Sequence, residues 1–92
     1  MITKIITHKD CLQHVNPPGH PEQVARLECI LEALTPLGLE IVDAPLVADD
    51  DLLRVHSKSH ISTIQAAVPD SGWLSLDNDT HLCPDTLTAA LR

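Results

Sequence analysis

The sequence HVNPPGHPEQVARLECILEAL, residues 14–34, joins a stiff loop directly to a helix. Two consecutive prolines fix φ angles in the loop, and the glycine after them permits a sharp reversal of the chain. Helix-start signals follow at once. We expect His20 to be the N-cap, Pro21 the first helical residue and Gln23 the third, where its side chain can reach back. The stretch therefore predicts a loop of defined course with a helix behind it.

Apolar residues recur at every third or fourth position of this helix and gather on one side, at about 100° per residue. They are Val24, Leu27, Ile30, Leu31 and Leu34. Glu28 and Glu32 face away from them. We expect Pro36 to stop the helix by removing a donor, and Gly38 to accept the left-handed conformation beyond its end. One face of the helix is thus predicted to be buried and the other hydrated.

One strand is predicted before the helix and one after it. Residues 3–7 are mostly β-branched and give a short strand that ends at His8, before a loop over residues 9–19. Residues 39–44, bounded by a glycine and a proline, give the second strand. The order strand, helix, strand favours a parallel α/β unit.

The second half of the sequence predicts three short helices. Three aspartates at positions 49–51 open the first, where the helix dipole stabilises carboxylates. Ser57 is expected to cap the second, which Pro69 ends. A loop over residues 70–83 leads to the last helix, with Pro84 at its first position. The apolar faces are formed by Ile61, Ile64 and Val68 on the second helix and by Leu87, Ala90 and Leu91 on the last.

The composition argues against several classes of partner. A net charge of −7 with only six Lys and Arg disfavours binding to a phosphate backbone, so no nucleic-acid partner is expected. No apolar run approaches the roughly 20 residues that span a bilayer, and the N-terminus lacks the apolar core of a signal peptide. We therefore expect no membrane association and a cytoplasmic protein. Three cysteines cannot form a disulfide framework, and we expect reduced thiols.

Potential metal ligands are densest before the first helix. They are His8, Cys11, His14 and His20. Structural zinc sites usually show two tight ligand pairs, whereas this spacing is H-x2-C-x2-H-x5-H, so capping and loop hydrogen bonds are the favoured alternative to a metal. The segment 77–79, Asp-Asn-Asp, is similar to the start of a calcium loop. Leu82 and Thr88 stand where that loop needs Gly and Glu, so the calcium motif fails.

The sequence allows two interpretations each for Asp79 and Arg26. Asp79 is either a carboxylate acceptor in a loop or a turn-forming residue. Arg26 lies at the boundary of the apolar stripe. There it either buries only its aliphatic stem against the stripe or also directs its guanidinium at a partner. Cys83 precedes a helix N-terminus and Cys29 lies opposite the stripe. Neither thiol has an identifiable base beside it, so thiol catalysis is not expected.

Five blocks of sequence together resemble the N-terminal segment of the histone deacetylase family, in particular its bacterial, class II-like and acetoin-utilisation-type members. The blocks are the run from His8 through Cys11 to His14, PPGHPE (17–22), ARLECILEAL (25–34), VHSKSHI (55–61) and LDNDTHLCPDTLTAAL (76–91). They keep their order and span nearly all of the chain. The resemblance implies an α/β arginase/deacetylase fold, a parallel sheet flanked by helices, of which residues 1–92 form the N-terminal, incomplete part of a single domain.

The resemblance also implies an activity, the hydrolysis of acyl-lysine or a related small amide by a zinc-activated water. In that family the loops matching residues 9–19 and 77–81 form rims of the substrate channel, and an acidic or hydroxyl side chain in the second accepts backbone N–H bonds from the substrate. This implies a substrate-binding role for Asp79, with Asp77 as its rival. It also implies structural or pocket-lining roles for Arg26, below the catalytic pocket, and His20.

The family's catalytic histidine pair, zinc ligands and catalytic Tyr match positions beyond Arg92. The resemblance therefore implies zinc in a full-length enzyme, and no catalytic or metal residue within this chain. The alternative function is a truncated, non-catalytic acidic interaction module derived from the family. A His-His pair and an Asp-x-His motif encoded beyond Arg92 would support the enzyme, and a stop codon would support the module. Because two parallel strands need neighbours, we expect residues 1–92 alone to self-associate.

Overall fold

A computed structural model of the protein describes residues 2–92. Its elements in chain order are β1 (Lys4–Thr7), α1 (Val24–Leu34), β2 (Glu40–Asp43), α2 (Asp49–Leu52), α3 (Lys58–Ala67), β3 (Leu74–Ser75), β4 (His81–Leu82) and α4 (Thr86–Leu91). Short 3-10 helices at Lys9–Gln13 and Thr35–Leu37 follow β1 and α1. The protein is a mixed α/β chain, as the sequence predicts. Within residues 2–92, no helix has the length and apolar character that crossing a membrane requires.

Strands β1 and β2 pair in parallel, which confirms the predicted strand, helix, strand unit. The register runs from Lys4 opposite Glu40 to Thr7 opposite Asp43. The pair begins with an ion pair between Lys4 Nζ and Glu40 Oε2 at 3.4 Å. It continues past the strand, where the Ala44 N–H donates to the Thr7 carbonyl at 2.7 Å. Helix α1 supplies the connection that parallel strands need.

Helix α1 begins at Val24, so the prediction that His20 is its N-cap is wrong. The N-cap is Gln23, in an extended conformation with φ −145° and no side-chain capping bond. The reason lies in the loop, where the His20 N–H donates to the Pro17 carbonyl at 3.2 Å across Gly19, whose φ is 87°. His20 is therefore the last residue of a turn in the loop, and the helix begins four residues later. The predicted helix end is confirmed, with Gly38 left-handed at φ 65°.

A side-chain hydrogen bond lies at the start of α3 and another at the start of α4. The Ser57 hydroxyl accepts the His60 N–H at 3.1 Å, which confirms the predicted cap of α3. Helix α4 begins at Thr86, two residues after the predicted start at Pro84. The Cys83 N–H donates to the Thr86 hydroxyl at 2.7 Å, and the Thr86 N–H returns to the Cys83 carbonyl at 3.1 Å. This reciprocal pair makes Pro84 part of a turn.

The predicted loop over residues 70–83 contains a β-hairpin that the sequence reading missed. Strands β3 and β4 are antiparallel, with Leu74 opposite Leu82 and Ser75 opposite His81. The Leu76 N–H closes the hairpin on the Thr80 carbonyl at 2.9 Å. Each strand has only two residues, which is too short for the alternation of apolar and polar residues to reveal it.

Little of the chain is buried. Among residues 2–92, the buried apolar residues are Ala44, Leu82 and Cys83, each at most 6% exposed, whereas Ile6 is 67% exposed and Ile41 51%. The accessible surface is 6745 Å² for 10.0 kDa, against about 5,200 Å² for an ordinary folded protein of that mass. The radius of gyration is 15.1 Å, against about 12 Å. The sheet thus presents apolar side chains and two unpaired strand edges to solvent.

Residues 1–92 expressed alone are therefore expected to form dimers or larger assemblies, or to unfold in part. Exposed isoleucines beside open strand edges favour pairing with another chain. Sedimentation velocity over a tenfold range of concentration, together with a thermal melt, measures both outcomes. A monodisperse monomer with a sharp cooperative melt would contradict this expectation.

Candidate functional site

The loop before α1 and the turn of the hairpin face each other across a shallow, open depression of about 260 Å³. We call residues 14–23 the proline loop and residues 76–80 the hairpin tip. The side chains lining the depression are mostly polar. They are His14, Asn16, His20, Glu22, Asp79, Thr80, His81, Leu82 and Thr86. The fold thus brings together His20 and Asp79, two of the site residues implied by the sequence resemblance.

His20 joins the proline loop to the hairpin tip. Its Nε2 lies 2.9 Å from the Asp79 carbonyl oxygen, and its Nδ1 lies 3.1 Å from the Glu22 backbone nitrogen. Its ring packs edge-to-face against that of His81, with centroids 5.3 Å apart and planes at 90°. His81 is held in turn by the Ser75 hydroxyl, 2.8 Å from its Nδ1. The contact between His20 and the Asp79 carbonyl connects residues 59 positions apart in the sequence.

Asp77 closes the hairpin tip with both carboxylate oxygens. Oδ1 accepts the Asp79 N–H at 2.8 Å, and Oδ2 accepts the Thr80 hydroxyl at 3.1 Å. The bond from the Asp79 N–H, followed by that from Thr80, lowers the pKa of the Asp77 carboxyl below its ordinary value. Asp77 is therefore ionised at neutral pH, and its acceptor oxygens are engaged in the turn.

The Asp79 carboxylate is placed differently. Its backbone is held on both sides, by Asp77 at the N–H and by His20 at the carbonyl. Within residues 2–92, no hydrogen bond or ion pair reaches its side-chain oxygens, and the residue is exposed. Asp79 thus presents free acceptors from a fixed position. Its turn-forming neighbour Asp77 does not.

The base of the hairpin is attached to the proline loop through Trp73 and Cys83. Trp73 Nε1–H donates to the Val15 carbonyl at 2.7 Å. The buried Cys83 sulfur accepts the Val15 N–H at 3.5 Å and the Thr86 hydroxyl at 3.3 Å. Burial raises the pKa of the Cys83 thiol, but hydrogen bonds from Thr86 and from the backbone of Val15 and Asp85 outweigh it, so the net shift is downward. Sequence spacing carries no signal of these long-range contacts.

Glu22 belongs to the site, although the sequence did not single it out. The Asn16 amide donates to the Glu22 carbonyl and to its Oε2, each at 2.9 Å. Arg26 Nη2 pairs with Glu22 Oε1 at 3.1 Å, and His14 Nε2 lies 3.8 Å from Oε2. The spacing of four residues between Glu22 and Arg26 is the signal that predicts this pair. Arg26 is thereby connected to the proline loop, although its side chain is 51% exposed.

The four candidate metal ligands have separate partners. His8 Nδ1 accepts the Asp10 N–H at 3.0 Å, and the Cys11 thiol lies 3.9 Å from the Ala89 carbonyl. His14 Nδ1 lies 2.8 Å from the Thr86 hydroxyl. In the part of the chain from residue 2 to 92, no three His, Cys, Asp or Glu side chains are placed to share a metal ion. These side chains make the capping and loop hydrogen bonds that the spacing favours.

Two archaeal proteins, both named probable deacetylase, are similar to this chain. The protein from Methanothermobacter thermautotrophicus is 32% identical over 89 residues, which cover 94% of this chain and 26% of that protein. The protein from Archaeoglobus fulgidus is 26% identical over 85 residues, which cover 86% of this chain and 24% of that protein. No family model matches the chain. The chain spans about a quarter of the length of these relatives, and it is related in sequence to deacetylase-like proteins.

Proposed function

We propose that this chain is the N-terminal segment of a zinc-dependent deacylase of the histone deacetylase family. In this proposal the proline loop and the hairpin tip form part of the rim of the substrate channel in an arginase/deacetylase fold. The observation that carries the proposal is the contact between His20 and the Asp79 carbonyl at 2.9 Å, which makes one surface from two distant segments. The similarity to probable deacetylases over 94% of the chain supports the reaction class.

The proposed role of Asp79 is to position an acyl-lysine substrate. A carboxylate accepts two donors at once, and charge-assisted hydrogen bonds are roughly twice as strong as neutral ones. Backbone N–H groups beside the acylated lysine are suitable donors. Because Asp79 is exposed and its carboxylate has no partner within residues 2–92, it can accept them without breaking an internal bond. The role is binding and orientation, not proton transfer.

The proposal places no zinc site within residues 2–92. No three candidate ligands converge within residues 2–92, and His14 and Cys11 are engaged elsewhere. The proposal therefore assigns the metal to residues outside this chain. The proline loop and the hairpin tip have a substrate-binding role alone.

Acetate release by the full-length protein tests the proposed function. We expect hydrolysis of an acetyl-lysine peptide or of a small acetylated amide, about one zinc per protein, and loss of activity on chelation with recovery on zinc addition. Residues 1–92 alone are expected to be inactive. A zinc-loaded full-length protein that cleaves neither substrate would overturn the proposal. A coding sequence that stops at Arg92 would favour the interaction module instead.

Exchange of Arg26 for lysine in the full-length protein is expected to lower turnover about fivefold. Lysine keeps the charge but loses the planar guanidinium that reaches Glu22 Oε1 at 3.1 Å, and with it part of the support of the proline loop. Steady-state kinetics of Arg26→Lys measures the effect. Glu28→Gln, on the exposed side of α1, is the matched control. Unchanged kinetics in Arg26→Lys, with normal zinc content, would count against a functional role.

A further inference from the structure

We propose that His20 is a positioning residue that holds the hairpin tip only as the neutral imidazole with its proton on Nε2, so that protonation of His20 releases the tip. The consequence for substrate rests on the proposed function, because it concerns the presentation of Asp79. We call the two contacts of the His20 ring, with the Glu22 N–H and with the Asp79 carbonyl, the clamp. The clamp is inferred from the distances of these two contacts.

The two contacts of His20 need opposite roles from its two ring nitrogens. The Glu22 backbone N–H, 3.1 Å from Nδ1, can only donate, so Nδ1 must carry a lone pair. The Asp79 carbonyl oxygen, 2.9 Å from Nε2, can only accept, so Nε2 must carry a proton. The other neutral tautomer would oppose donor to donor and lone pair to lone pair. Only one of the three protonation forms satisfies both partners.

Protonation of His20 adds a proton to Nδ1, where it meets the Glu22 N–H. The ring must then turn or the Glu22 N–H must move, and a turn of the ring takes Nε2 away from the Asp79 carbonyl. The charged and titratable groups around His20 are Glu22 in the proline loop, and Asp79 and His81 in the hairpin. Arg26 and His14 both approach the Glu22 carboxylate. The contact is therefore expected with the neutral ring and lost with the protonated one.

The clamp matters because of where it acts. Asp77 holds the N–H of Asp79 and His20 holds its carbonyl, so both backbone groups of one exposed residue are fixed. A fixed tip lowers the entropic cost of binding a substrate to the free carboxylate. Release of His20 leaves the tip closed by Asp77, and the hairpin base still attached to the proline loop through Trp73 and Cys83. The substrate preference that depends on Asp79 should then weaken while the rest of the fold persists.

Two substitutions separate the functions of the ring. His20→Asn keeps an acceptor for the Glu22 N–H but is too short to reach the Asp79 carbonyl. His20→Gln can donate to that carbonyl, and it does not titrate. The control is His56→Gln, an exposed histidine that stacks on His60 at 5.3 Å, outside the depression. All are made in the full-length protein and compared at about pH 8 and pH 5.5.

The first readout is the long-range ¹H–¹⁵N spectrum of the His20 ring at pH 8. We expect a bare Nδ1 and a protonated Nε2, and a shift of the Asp79 carbonyl ¹³C signal when the ring is protonated. A ring protonated on Nδ1 at pH 8, or an Asp79 signal that ignores its titration, overturns the clamp. This readout needs no activity, so it decides the clamp even if the protein is not a deacylase.

The second readout is the ratio of kcat/KM for an acyl-lysine peptide to that for a small acylated amide. In the wild type and in His56→Gln the ratio should fall about tenfold between pH 8 and 5.5, the equivalent of one lost hydrogen bond. His20→Asn should show the low ratio at both pH values, and His20→Gln a pH-independent intermediate one. A wild-type ratio and pH profile in His20→Asn would refute the positioning role.

Discussion

Replacement of Asp79 by alanine in the full-length protein is expected to lower kcat/KM for an acyl-lysine peptide by about 30- to 150-fold, equivalent to about 2–3 kcal/mol. The loss reflects substrate N–H groups left without a charged acceptor in the transition state. A small acylated substrate without backbone amides should lose far less, because it never makes these bonds. Steady-state kinetics on both substrates measures the difference.

Asp77→Ala is the matched comparison for Asp79→Ala. It removes the acceptor of the Asp79 N–H and of the Thr80 hydroxyl, so its effect should come from a loosened tip and be smaller on the peptide. The pattern across the two substrates separates the roles. Equal losses on both substrates in Asp79→Ala would mean that Asp79 holds the loop together. No loss on either substrate would leave it as a turn residue.

Truncation of Leu82 should have the largest effect on stability. Leu82 is 5% exposed on β4, next to the Cys83 contacts that attach the hairpin to the proline loop. Leu82→Ala is expected to lower the free energy of unfolding by about 2–4 kcal/mol through lost burial and a cavity. Urea denaturation of the full-length protein, followed by tryptophan fluorescence, measures the change. Trp73 reports on the same hairpin.

The control for Leu82 is Leu76→Ala, in the same hairpin. Leu76 is 41% exposed, so removal of its side chain should change the unfolding free energy by less than about 1 kcal/mol. The two variants remove the same atoms from positions about six residues apart, which isolates burial as the cause. Equal effects would mean that Leu82 does not belong to a core.

The elements that the sequence predicts correctly are those with local signals. The β-branched run gives β1, the Gly38 and Pro36 signals end α1, and Ser57 caps α3. In each case the residue that determines the structure lies within a turn of the residue that it affects. Hydrophobic periodicity and capping rules act over that distance, so one sequence is enough to apply them.

The site is less predictable because its contacts are not local. The residue pattern predicts His20 as a helix cap, and the family resemblance implies a structural or pocket-lining role for it. A partner 59 positions away, the Asp79 carbonyl, and a turn within the loop determine its real role. Spacing alone cannot distinguish Asp77 from Asp79, since both are aspartates in one turn. Only the hydrogen bonds show that Asp77 holds the tip and that the Asp79 carboxylate oxygens have no partner within residues 2–92.

The most direct test of the proposed role of Asp79 is a double-mutant cycle. It combines Asp79→Ala with N-methylation of the backbone amides of a substrate analogue. The ligands are an acyl-lysine peptide with a ketone in place of the scissile amide, and the same peptide N-methylated at the flanking backbone nitrogens. Calorimetry with the full-length protein should show binding weakened about 30-fold by N-methylation in the wild type, and by less than about threefold in Asp79→Ala. An equal loss in both proteins would contradict the claim that Asp79 accepts the backbone of the substrate.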